Sequence, residues 1–132
     1  MQTWQVVPGT SAGTLQVVDQ KLPALGEGEV LVTLRAVSLN RRDVYLLDHA
    51  VMEDGPAPFI PLSDGAGDVA AIGPGVTQWQ PGDRVITTFF PIWLDGPPTE
   101  ANLLQRGDRD APGVLREFVI VRESELVELP DQ

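Results

Sequence analysis

The sequence predicts a mainly β domain carrying one or two turns of helix, and three observations lead there. Thirteen glycines and twelve prolines fall between short apolar runs, a punctuation that favours strands and turns over long helices. Residues Val30-Leu-Val-Thr-Leu-Arg-Ala-Val-Ser38 alternate with the period of a strand, which sets Val30, Val32, Leu34 and Ala36 on one face, expected to point inward, and Leu31, Thr33, Arg35 and Val37 on the other. Only the stretch from Arg41 to about Leu47 mixes acidic, basic and apolar residues without glycine or proline, and Asn40 stands where a helix cap would.

Taken in order, strands are expected over Thr3–Val7, Leu15–Gln20, Val30–Ser38, Gly67–Ile72, Arg84–Thr88 and Leu115–Arg122, with a short last one near Leu126–Leu129. Gly26-Glu-Gly-Glu29, Gly73-Pro-Gly75 and Pro81-Gly82 read as turns, because glycine supplies backbone angles that other residues resist. Gly65-Ala-Gly67 is followed by a strand-like run instead of a helix, so it reads as a tight turn and not as a dinucleotide-binding fingerprint. From Pro91 to Gly113 no period is visible. An irregular stretch of that length inside a compact domain is functional or mobile.

Composition narrows the function. A chain of 132 residues suits a single domain with one core. The net charge of −10 argues against nucleic acid, since no basic patch is present to displace counterions from phosphates. Spread along the chain, the carboxylates read as a solubilising coat. Zero cysteines exclude disulfides, thiolate zinc ligands and a cysteine nucleophile within this segment. No apolar run is long enough to span a bilayer, so no membrane partner is expected. Met1-Gln-Thr-Trp4 lacks the basic and apolar regions of a secretion signal, which makes a cytoplasmic location the expectation.

A set of short motifs occurs in a recognisable order: Gly28-Glu-Val-Leu-Val32, Val37-Ser-Leu-Asn40 with Asp43, Pro61-Leu-Ser-Asp-Gly-Ala-Gly67, Gly73-Pro-Gly-Val76, Pro81-Gly-Asp-Arg-Val85, Gly113-Val-Leu-Arg-Glu-Phe-Val119 and Leu126-Val-Glu-Leu-Pro130. In order and spacing they resemble the N-terminal catalytic domain of the medium-chain dehydrogenase/reductase family. The resemblance implies a GroES-like fold, a twisted and partly open β-barrel. It also implies an NAD(P)H-dependent oxidoreductase, with NADP among the cofactor choices, that moves hydride to or from a small carbonyl, enone, quinone or alcohol. In relatives the chain crosses into a Rossmann cofactor domain just after a proline-aspartate pair such as Pro130-Asp131, where this sequence stops. The expected partners are therefore that Rossmann domain, absent here, and a small-molecule substrate, and the isolated segment is expected to be inactive. Relatives are often dimers, so a homodimer is a further expectation, with its main contact in the absent domain.

Zinc-dependent members of the family place cysteine, histidine and glutamate where this sequence has Asn40, Ser63 and Asp64. Amide and hydroxyl cannot replace thiolate and imidazole in a tetrahedral zinc site, so the resemblance is to the zinc-independent branch and no metal site is expected. In that branch an asparagine and a tyrosine at the places of Asn40 and Tyr45 face nicotinamide and substrate, and an amide plus a phenol can polarise a carbonyl. The bland alternative has Asn40 capping the helix and Tyr45 packing on the barrel. Arg42 could reach a cofactor phosphate or pair with an acid. Asp43 is expected to hold its loop through backbone hydrogen bonds, and Asp64 to accept backbone hydrogen bonds or orient Arg41 or Arg42. Phe89, Phe90 and Trp93 gather beside the expected substrate cleft, where they would suit a flat apolar substrate or simply fill a core. His49, the only histidine, has no motif partner and is expected to be an ordinary polar residue near a loop. A stand-alone β-barrel that binds a partner protein without redox chemistry is the rival reading.

Overall fold

The computed structural model describes residues 1–9, 12–49 and 58–130. Strands β1 (Gln2–Val7) and β2 (Thr14–Asp19) form an antiparallel hairpin with Val6 opposite Leu15. Strands β3 (Glu29–Ser38), β4 (Asp64–Ile72), β5 (Arg84–Thr87), β6 (Phe118–Arg122) and β7 (Leu126–Glu128) make a five-stranded antiparallel sheet in the order β6-β3-β4-β5-β7. The helix α1 (Arg41–Asp48) follows β3, and two 3-10 turns lie at Glu100–Asn102 and Glu123–Glu125. The mainly β expectation therefore holds, with one short helix where the sequence places it.

Strands β6 and β7 occupy opposite edges of the sheet, yet β6 ends at Arg122 and β7 begins at Leu126. Five strands laid flat would separate those edges by about 19 Å, whereas four residue steps reach at most about 14 Å when fully extended. The sheet must curl until its edges nearly meet, which makes it a partly open barrel. Its interior takes side chains from every strand: Val30 and Val32 of β3, Val69 of β4, Val85 of β5, Val119 and Val121 of β6, and Leu126 of β7 form one buried cluster, with Leu34, Val76 and Trp79 packed against it. The predominance of valine follows from the fit of β-branched side chains to a pleated, curved surface.

The seam between the edges is tied by side chains on the Glu123–Glu125 turn. Glu123 Oε2 accepts the backbone N–H groups of Thr77 and Gln78, both at 3.0 Å, and its carbonyl accepts Trp79 Nε1–H at 2.9 Å. The donors from Thr77 and then Gln78 hold the Glu123 carboxyl below the usual carboxylate range. Glu125 Oε1 accepts the Arg122 N–H at 3.0 Å, its carbonyl accepts the Thr88 N–H at 2.9 Å, and its Oε2 pairs with the Arg106 guanidinium. That ion pair is buried, with side-chain exposures of 4% for Arg106 and 14% for Glu125.

Three sequence expectations change. Gly65-Ala-Gly67 is not a turn: β4 begins at Asp64, and Gly67 lies so close to β3 that an added Cβ would overlap the Thr33 carbonyl oxygen. These glycines serve close strand packing. Strand β6 begins at Phe118 instead of Leu115, because residues 115–117 divide their hydrogen bonds between β1 (Trp4 N to Leu115 O, 2.9 Å) and β3 (Leu34 N to Glu117 O, 2.9 Å). Of the β3 face expected inward, Val30 and Val32 are buried and Leu34 is partly so, but Ala36 is exposed. Past Thr33 the strand outruns its pairing with β6, and its register against β4 shifts between Leu34 and Ala36, as at a β-bulge. Residues 91–113 are irregular as expected, apart from one 3-10 turn.

Removing one partner of a buried ion pair leaves a charge unpaired, at a cost of about 3–5 kcal/mol. Glu125→Ala is expected to lose stability in that range in urea unfolding. A Cβ on Gly113 would overlap the carbonyl oxygens of Pro61 and Leu62, and Gly113→Ala is expected to cost about 2 kcal/mol as backbone overpacking in the same measurement.

Candidate functional site

The candidate site is built on the segment that enters β4. Leu62 is 2% exposed and has a φ of 69°, a left-handed conformation that costs a branched residue about 1–2 kcal/mol. The neighbours hold it there. Gly113 N–H donates to Ile60 O at 2.8 Å, Val114 N–H to Leu62 O at 3.0 Å and Leu115 N–H to Pro61 O at 3.2 Å, while Gly107 and Gly113 lie directly on the Leu62 backbone with no room for a side chain. From β5, Thr87 Oγ1 donates to Ser63 O and accepts the Gly65 N–H, both at 3.1 Å. Strained residues fixed this firmly cluster at functional sites.

The turn at Leu62 presents Ser63 and Asp64 to Asn40. Asn40 Nδ2 donates to Asp64 Oδ2 and to Ser63 Oγ at 3.4 Å, and Ser63 Oγ donates to the same Asp64 oxygen at 3.1 Å. Asn40 is the residue preceding α1, but its side chain makes no cap hydrogen bond. The capping role goes to Asp43, whose Oδ2 accepts the Asn40 N–H at 2.7 Å, as expected of a loop-holding carboxylate. Among the described residues Asp64 turns to the side chains of Asn40 and Ser63, neither to backbone N–H groups nor to Arg41 or Arg42, the two alternatives the sequence suggested.

Arg42 pairs with an acid. Its guanidinium pairs with Asp108 at 3.0 Å, donates to Arg106 O at 3.2 Å and lies 5.6 Å from the Phe89 ring centroid, a cation–π distance. Phe89 and Phe90 meet edge to face at 4.6 Å, and Phe90 and Trp93 at 5.7 Å. Trp93 Nε1–H is turned to its own loop, donating to Asp95 O and Gly96 O at 3.1 Å. Tyr45 stacks on His49 with centroids 4.0 Å apart, and His49 Nδ1 lies 2.8 Å from Tyr45 O. The predicted residues thus fall into three groups: Asn40 with Ser63 and Asp64, Arg42 with the aromatics, and Tyr45 with His49. Asp108, Thr87 and Leu62 were missed by the sequence reading.

Among the described residues no group of three or more His, Cys, Asp or Glu side chains could hold a metal ion. One carboxylate beside an amide and a hydroxyl, already bonded to each other, does not fit a tetrahedral zinc, and no step is derived through one. For a nicotinamide group the fit is better. The amide oxygen of Asn40 and the hydroxyl of Tyr45 make no hydrogen bond among the described residues, so both can meet a neutral polar ring.

The family description "Alcohol dehydrogenase GroES-like domain" matches residues 26–131. A zinc-type alcohol dehydrogenase-like protein of Schizosaccharomyces pombe is 36% identical over 80% of this chain and 31% of its own length. The chloroplastic quinone-oxidoreductase QR1 of Triphysaria versicolor is 42% identical over 59% of this chain and 24% of its own. A candidate alcohol dehydrogenase from Sinorhizobium meliloti 1021 superposes with a TM-score of 0.82 at 39% identity, over 98% of this chain and 38% of that one. Mycobacterial Rv1454c, solved in complex with NADPH, does so at 0.65 and 29% identity, over 99% of this chain and 34% of that one. The chain spans about a third of the length of the first of these relatives. Motif order, curled sheet and family match converge, and the chain belongs to the alcohol dehydrogenase GroES-like domain family, the N-terminal domain of medium-chain dehydrogenases and quinone oxidoreductases.

Proposed function

We propose that this domain forms the substrate-side wall of a zinc-independent, NAD(P)H-dependent oxidoreductase acting on a small carbonyl, enone, quinone or alcohol, and that it is inactive without a Rossmann cofactor domain. The observation that carries the reading is an uncovered apolar surface beside the Asn40–Ser63–Asp64 cluster: Leu39 is 81% exposed, Val44 60% and Tyr45 59%. Apolar residues grouped this way mark a surface made to be covered. The similarity to alcohol dehydrogenases and quinone oxidoreductases supplies the reaction class.

A bound nicotinamide would supply or accept the hydride. The chain's own residues do the rest. Asn40 spends its amide hydrogens on Asp64 and Ser63, which fixes the plane of its carboxamide and leaves its oxygen as an acceptor. The donor aimed at a substrate oxygen is then Tyr45, whose phenol is held by the stack on His49 and has no competing partner among the described residues. Arg42, tied to Asp108, keeps the aromatic loop in place.

Two measurements test this. The protein as its own cell produces it should have a mass roughly two to three times the 14.3 kDa of this chain, as an added cofactor domain requires. A native mass of 14.3 kDa would put the stand-alone binding module first. In that longer enzyme Tyr45→Phe is expected to lower kcat about a hundredfold, the usual cost of losing one polarising donor, with KM for the substrate little changed. An unaltered kcat would remove Tyr45 from the reaction.

A further inference from the structure

A second polar site lies away from the Asn40 cluster, where the irregular 89–113 lobe meets the corner between β6 and β7. A cleft of about 340 Å³ opens there, lined by Ile92, Leu104, Arg106, Arg116, Ile120 and Glu125 among others. Arg106 is satisfied within it, by Glu125 and by the Thr88 carbonyl at 3.1 Å. Arg116 is not. The Arg116 side chain makes no hydrogen bond or ion pair with any described residue, and its Nε is buried without a partner. Of the two guanidinium groups lining the cleft, only that of Arg106 is paired with its one lining carboxylate, so among the described residues Arg116 has no counter-charge.

A buried donor without an acceptor forfeits its hydration, and such groups in native proteins call for an explanation. Burial first, and then the neighbouring Arg106, hold the Arg116 guanidinium down at about 10, which records the same missing counter-charge. A planar fork of N–H donors matches a carboxylate, with two parallel hydrogen bonds. Beside the fork, Ile92, Leu104 and Ile120 offer apolar wall instead of further donors, which favours a singly charged head with a hydrocarbon tail over a phosphate.

We propose that this cleft binds small amphipathic monocarboxylates, with the carboxylate on Arg116 and the tail against Ile92, Leu104 and Ile120. The site neither uses nor requires the nicotinamide reaction, so its fate is independent of the proposed catalytic role.

The test titrates the 132-residue chain with hexanoate, acetate, hexanol and inorganic phosphate, following backbone and Arg side-chain resonances by NMR. Hexanoate should saturate at one per chain, shift the Arg116 Nε–H and Ile120 signals, and bind more tightly than acetate or phosphate, while hexanol produces no shift at Arg116. Arg116→Met, which keeps the length and removes the charge, should weaken hexanoate at least about tenfold, the usual worth of a charge-assisted hydrogen bond. Thermal unfolding gives a second readout that needs no assignment: hexanoate should raise the melting temperature of the wild type and not of Arg116→Met. Equal binding of hexanol and hexanoate, an undiminished affinity in Arg116→Met, or shifts confined to other surfaces would each overturn the proposal. So would a dilution-sensitive dimer that Arg116→Met abolishes, because a carboxylate of a second copy would then fill the cleft.

Discussion

The closure of the barrel at the Glu123–Glu125 turn is the constraint on which the rest of the structure depends. Edge strands β6 and β7 belong to opposite sides of the sheet, and a three-residue turn cannot join them unless the whole sheet curls. The valine interior follows from that curl, because only the concave face of five strands can be dry at once. Hydrophobic burial does not select the position of the seam, since it is indifferent to direction. The selection comes from directed bonds: the Thr77, Gln78 and Trp79 donors all end on Glu123, and Arg106 and Thr88 end on Glu125.

Arg106 also carries the seam's geometry to the candidate site. Its guanidinium is held by Glu125 and Thr88, while its carbonyl receives Arg42 from the first turn of α1 and its N–H donates to Phe89 O at 2.9 Å. One residue thus ties together the barrel closure, the aromatic loop and the helix that begins at Asn40. The next residue, Gly107, lies on the backbone of Leu62, whose left-handed turn aims Ser63 and Asp64. A lobe with almost no regular structure is therefore kept in place by polar bonds at its base, as an irregular segment must be when it has no ladder of its own to satisfy its backbone groups.

How much of this was legible in the sequence depends on the range of the interaction. Alternation and turn chemistry are local, so every strand and the one helix appear near their expected places. Gly65-Ala-Gly67 misled because a glycine serving close strand approach and a glycine serving a turn look alike until the neighbouring strand is known; what decides is the Thr33 carbonyl. The face of β3 failed at Ala36 for a related reason, since burial there depends on where β6 begins. At the site, the nearness of Asn40 to Ser63 and Asp64 came from family resemblance, and no spacing would have paired residues 23 and 24 positions apart. Asp108 was out of reach altogether. Its partner Arg42 is 66 residues away, in a stretch without a period.

The hydrogen-bond accounting at Asn40 shows which polar atoms are already partnered among the described residues. A carboxamide has two donors, and both end on Asp64 and Ser63; the Ser63 hydroxyl ends on Asp64 as well. A cluster bonded this way resists rotation, which suits orientation more than proton movement. Beside that carboxylate stand only an amide and a hydroxyl, which do not offer a tetrahedral zinc the thiolates and imidazoles it takes. Among the described residues, what remains unspent is an acceptor on Asn40 and a donor on Tyr45. On the proposed reading that pair would serve a planar amide-bearing ring and a polarised oxygen, one group accepting and one donating.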